Sequence, residues 1–142
     1  MSIEPSSFVT VRDLSADGLF HKLRFGLRGG FSTCILDVRL RQGFTPLARS
    51  ISDAVAIVAD DDPVLVPDVD RDQPILVCAP TEYIDVAWDL ALGLIDLGYR
   101  HVWRLEVGIE TMTHSTAHMS DLQIESRQRI AQWTPLGTRS RD

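Results

Sequence analysis

The sequence is poor in cysteine and in positive charge, and it has no long apolar run. Two cysteines, Cys34 and Cys78, among 142 residues exclude a disulfide framework as the basis of the fold. Both sit in runs of strand-forming residues, where a thiol packs as a small hydrophobe. Lys and Arg number 14 against 20 Asp and Glu, a formal net charge of −6. That balance argues against a nucleic-acid surface, because phosphate contacts need clustered cations. One basic cluster, His21, Lys22, Arg24 and Arg28, reads as a solvated helix face. No apolar run approaches the ~20 residues that span a bilayer. Met1 to Ser7 has neither a basic n-region nor an apolar h-region. The expectation is therefore no secretory signal, no membrane and a cytoplasmic location.

What is present suits one globular domain. Hydrophobic residues make up 44% and charged residues 24%, enough to bury a core without staples. Phe8 to Val11 reads as a short strand. A helical stretch opened by Asp13 or Ser15 follows and stops at Gly29-Gly30. Cys34 to Val38, Ala54 to Val58 and Ile75 to Cys78 are apolar runs of buried-strand length, and His101 to Leu105 is a fifth strand. The segments between, Arg39 to Ser50 and Asp60 to Asp72, read as irregular. Ile84, Ala87, Trp88, Ala91, Leu94 and Ile95 recur at spacings of three and four, predicting a core-facing helix capped by Thr81 and stopped by Gly98. Trp88 and Trp103 fall on core-facing positions. Strand, helix and strand in alternation predict a five-stranded, mostly parallel α/β sheet with helices on both faces. Residues 1–112 form that domain. Residues 113–142 form a C-terminal helical extension, capped by Ser120 and running to about Trp133. That extension either covers the sheet or makes a subunit contact such as a homodimer.

Open α/β sheets bind ligands at the carboxyl ends of their strands. The best-defined strand-to-helix turn is Cys78-Ala79-Pro80-Thr81-Glu82-Tyr83. A cysteine facing a helix N-terminus is a candidate nucleophile, because free N–H groups there favour a thiolate or a bound anion. Asp37 and Arg39 are candidates for the mouth of the same site, or simply a structural polar pair. No cofactor motif is present. His114 and His118 are four apart but lack the Glu and third ligand of a zinc motif. Asp68, Asp70 and Asp72 alternate like a calcium loop, but Gln73 stands at its glycine position and Ala79 at its final glutamate. No metal is expected.

Three segments resemble the rhodaneses, the single-domain sulfurtransferases. Ile35-Leu36-Asp37-Val38-Arg39, then Phe44 and Ile51 to Ile57, resembles the family's first signature. Pro74 to Cys78 resembles the strand leading into its active loop. Gly98-Tyr99, Val102, Leu105, Gly108 and Ile109 resemble its closing pattern. The likeness runs from about residue 8 to 112. It implies a rhodanese-like sheet and transfer of sulfane sulfur through a cysteine persulfide, with Cys78 as nucleophile. Ala79, Thr81, Glu82 and Tyr83 would line the anion-holding loop, and Asp37 and Arg39 would support it.

The loop departs from that family's Cys-x-x-Gly-x-Arg-Ser. It has no Gly and no Arg, Glu82 and Asp85 would repel an anionic donor, and Pro80 removes an N–H. Counted from Pro74, the family's cysteine falls on Ala79. Counted back from Gly98-Tyr99, it falls near Thr81. Asp53 stands where the first signature has a glycine, and Val107 replaces the first glycine of the closing pair. Two readings follow: a non-catalytic rhodanese-like module that binds or regulates a protein partner, or a divergent sulfurtransferase carrying a persulfide on Cys78 with thiosulfate or polysulfide as donor.

Overall fold

The computed structural model describes residues 10–15, 18, 33–112, 119–122, 130 and 132–136. Five strands form one sheet: β1 (Arg12–Leu14), β2 (Cys34–Arg39), β4 (Val55–Val58), β6 (Ile75–Cys78) and β7 (Val102–Leu105). Their order is β1-β7-β6-β2-β4, and every neighbouring pair is parallel. The expected sheet is therefore observed. Helix α1 (Ile84–Asp96) connects β6 to β7.

Alternation along the strands makes two cores. Leu36, Val38, Val55, Ile57, Ile75 and Val77 face α1 and meet its Ala87, Leu90, Ala91 and Leu94. Each leucine side chain buried there contributes roughly 1.5–3 kcal/mol. Ile35, Ala56, Leu76, Cys78 and Leu105 point the other way and meet Ile51, Ile109, Met112 and Leu122. Among the described residues α1 is the one helix seen at length, Gly18 being the single described residue of another, and loop residues close the second core.

Helix α1 matches its predicted end but not its predicted start. Gly98 adopts φ +101°. Its N–H bonds Ile95 O and the Tyr99 N–H bonds Leu94 O, the paired stop that a left-handed residue permits. At the other end Thr81 caps nothing. Thr81–Tyr83 forms a turn of 3-10 helix ahead of Ile84. Trp88 is not in the core; it is 37% exposed, with the Arg104 guanidinium 4.6 Å above its ring. Leu90 is buried instead. Trp103 is half-buried against the second core.

The first strand lies at Arg12–Leu14, later than the predicted Phe8 to Val11; residues 8 and 9 lie outside the described residues. It is an edge strand, where charge is tolerated, and Asp13 pairs across to Arg104 at 2.7 Å. Ser15 Oγ accepts the Gly18 N–H at 3.0 Å, the geometry expected of a cap. The rest of that predicted helix, with the His21 to Arg28 cluster, lies outside the described residues.

The C-terminal extension differs most from expectation. Ser120 belongs to a strand, β8 (Met119–Asp121), antiparallel to β3 (Arg49–Ile51). Trp133 belongs to β9 (Trp133–Pro135), antiparallel to β5 (Leu65–Pro67). The two ends of the predicted helix are thus strands, and residues 123–129 between them lie outside the described residues. Ladder partners far away in sequence override local helix preference. Leu136 then sits on Gly93 of α1, where an added Cβ would be 3.0 Å from its methyl.

Candidate functional site

Strand β2 feeds β4 on one side of it, and β6 feeds β7 on the other. Their outgoing connections leave in opposite directions, which opens a crevice at their carboxyl ends. A cavity of about 530 Å³ lies there, lined by Arg39, Leu47, Ala48, Arg49, Pro80, Glu82, Ile109 and Glu110.

The wall after β2 is built on a buried ion pair. Arg39 Nε donates to Asp37 Oδ1 at 2.9 Å and its Nη2 to Asp37 Oδ2 at 3.0 Å. Asp37 is 0% exposed. The same guanidinium donates to Gly43 O at 3.1 Å and Arg49 O at 2.8 Å. One side chain therefore fixes both ends of the connection, a use that suits its planar fork. The aspartate neutralises it, which a charge held out of water requires.

The wall after β6 contains the candidate nucleophile. Cys78 lies opposite Asp37 in register, so sequence-distant candidates do meet. Its side chain, however, belongs to the second core, on the face away from α1. It is 1% exposed, does not line the cavity, and points its thiol at Leu36 O, 3.5 Å away. Burial pushes its pKa well above the ordinary thiol value, and Asp37 adds to the rise; Arg39 and Ser50 oppose it more weakly. Each unit of rise cuts the thiolate fraction about tenfold. The Ser50 hydroxyl lies near enough to favour the thiolate but completes no hydrogen bond of proper geometry.

The remaining loop residues divide. Ala79 is buried on the α1 side, and its carbonyl accepts the Ile109 N–H at 3.0 Å. Tyr83 is buried against Gly43, where an added Cβ would be 2.7 Å from its ring. Thr81 and Glu82 are exposed. The Thr81 N–H, where a side chain of its own segment would be expected to cap, donates to Glu110 Oε1 at 3.0 Å. Burial raises the Glu110 pKa, but hydrogen bonds from the Thr81 side chain and from the Glu110 and Thr81 backbone N–H groups, with the Arg39 charge, together outweigh it and leave the carboxyl below its ordinary value.

Glu110, Leu47 and Arg49 were not legible as site residues. Glu110 follows the Gly108-Ile109 pair of the closing pattern, the one signal that could have found it. Leu47 is 88% exposed at the rim, and Arg49 lies 3.6 Å from Asp121 of the extension. Asp53, at the glycine position of the first signature, adopts φ +70°, a conformation aspartate tolerates better than most residues. In the acidic loop, Asp68 pairs with Arg71 at 3.0 Å and Asp72 with Arg100 at 2.9 Å. Among the described residues no three acidic, His or Cys side chains gather as a metal would need. His114 and His118 lie outside the described residues. No helix among the described residues is long and apolar enough to cross a membrane.

No protein-family profile matches the chain, and no curated protein matches its sequence. Among solved structures it is similar to the rhodanese-like domain of the Alr3790 protein from Anabaena sp., determined in solution. That match has 23% identity over 94% of this chain and 91% of that one, with a TM-score of 0.54. A crystal structure of the Alr3790 protein matches at 20% identity over 81% and 84%, also with a TM-score of 0.54. The chain has the rhodanese-like fold.

Proposed function

We propose that this chain is a non-catalytic rhodanese-fold module that binds a protein partner through the crevice at the strand ends. The burial of Cys78 carries the reading. A persulfide carrier needs a thiolate that meets an anionic donor, and this thiol is 1% exposed in a core, beside a buried carboxylate. The loop offers the donor little else: Pro80 contributes no N–H, Glu82 adds negative charge, and the Thr81 N–H is already engaged. Exposed Leu47 at the rim gives a partner an apolar foothold. The two free cysteines suit a reducing compartment such as the cytoplasm. The described parts of the extension pair with their own chain, which favours a covering role over a homodimer contact.

The test is intact-protein mass spectrometry after incubation with thiosulfate, and separately with polysulfide, using Cys78→Ser as control. The expected result is no adduct. A gain of one sulfur, reversed by cyanide and missing in the mutant, would establish the divergent sulfurtransferase instead.

A further inference from the structure

We propose that the outer face of α1 docks a cationic, amphipathic helix of a second protein, with Trp88 and Leu92 as the anchors. This surface is separate from the crevice and goes beyond the reading given for it.

Of the three large hydrophobic side chains exposed among the described residues, two are Trp88 and Leu92, at 37% and 42%. They stand four residues apart on one helix, so they share a face one turn apart. Single apolar residues on a surface are ordinary, but an adjacent pair that includes tryptophan has the composition of an interface anchor. The Trp88 ring is also held before any partner arrives. The Arg104 guanidinium lies 4.6 Å over it, and Asp13 holds that guanidinium at 2.7 Å. A side chain already ordered costs little entropy on binding.

The charges around the pair decide what covers it. Asp85, Asp89 and Asp96 are exposed, and α1 carries no Lys or Arg. Asp85 and Asp89 are four apart, a like-charge spacing that destabilises a helix. Neither has an ion-pair partner among the described residues, and the Arg104 charge is committed to Asp13. A partner with Lys or Arg beside its own apolar residues relieves that repulsion while it buries Trp88 and Leu92. A second copy packed face to face would instead set aspartates against aspartates, and an anionic membrane or a nucleic acid would meet the same repulsion. The formal charge of −6 steers a basic partner toward the chain.

The experiment follows the Trp88 indole N–H and the α1 amides in proton–nitrogen NMR spectra of the full chain. Two synthetic amphipathic helices of about five turns are titrated in, one of leucine and lysine, the other of leucine and glutamate. The leucine–lysine peptide is expected to shift Trp88 and residues 85–96, and the leucine–glutamate peptide to leave them unmoved. Trp88→Ala should weaken binding about tenfold. The double variant Asp85→Asn, Asp89→Asn should weaken it about fivefold; it removes charge from two exposed positions at little cost in helix propensity. A leucine–lysine peptide that shifts only residues outside α1, or binds the double variant as tightly as wild type, overturns the proposal. So does a leucine–glutamate peptide that binds equally well. Concentration-dependent shifts of Trp88 without peptide would assign the face to a second copy and overturn it too. A persulfide on Cys78 would change the reading of the crevice and leave this result untouched.

Discussion

The two walls of the crevice are built alike, each a buried strand running out into a loop, yet they are held in different ways. After β2, one buried guanidinium makes four hydrogen bonds, two to Asp37 and two to backbone carbonyls. After β6, the side-chain contact to the loop is an exposed carboxylate reaching across from another turn. The first wall is an interior structure that happens to reach the surface. The second is a surface contact that water and ions can contest. Buried, mutually dependent charges give rigidity, whereas exposed ones give exchange.

The sharpest way to break the comparison is Asp37→Ala. It leaves Arg39 buried without its partner, and the expected cost is about 3–5 kcal/mol in urea unfolding. A loss below about 1 kcal/mol would mean that the pair is not what holds the β2 wall. Next comes Gly108→Ala, whose methyl must displace Thr81 or Glu110. Overpacking of this kind costs about 1–3 kcal/mol, and the Thr81 amide resonance should move with it.

Cys78→Ser should cost about 1 kcal/mol, because a hydroxyl can still donate to Leu36 O but is more polar than the thiol it replaces. In the native protein a thiol reagent should modify Cys34 before Cys78. Cys34 lines a second cavity of about 270 Å³ at the opposite end of the sheet, and its pKa is pushed up by burial to about 11. Faster labelling of Cys78 would place it at the surface and weaken the contrast between the walls.

Glu110→Gln has the smallest expected effect, about 0.5 kcal/mol at neutral pH, the scale of one exposed charge at a helix N-terminus. The sign follows from its lowered folded pKa. The carboxylate stabilises the fold above the unfolded glutamate pKa, and that contribution disappears as pH falls through the folded value. Wild type and variant should therefore differ at pH 6 and converge in acid, once the pH lies below the folded value. A difference that persists in acid would assign the effect to packing.

Much of the sheet was legible. Continuous apolar runs such as Ile35 to Val38 and Ile75 to Cys78 read as strands covered on both faces, and covered they are. The Leu94 to Tyr99 stop was legible because Gly98 marks a left-handed residue. Short strands were not. Leu65–Pro67 hides in an acidic, proline-bearing stretch, and Met119–Asp121 carries no period of its own. Each exists because a distant partner presents unpaired backbone groups. At the site, Asp37, Arg39 and Cys78 were named from the sequence, but their relation was not. Strand register sets Asp37 against Cys78, and alternation then turns the thiol into the core. Glu110 was missed because its partner, the Thr81 N–H, is 29 residues away.

The sequence by itself determined the parallel sheet, its principal helix and the strand ends at which a crevice forms. These follow from hydrophobic period and from glycine, which act over a few residues. Only the tertiary structure decided which face Cys78 occupies, what Arg39 holds and which group meets Thr81. Those outcomes depend on register between strands and on the approach of separate turns, and no local pattern encodes them.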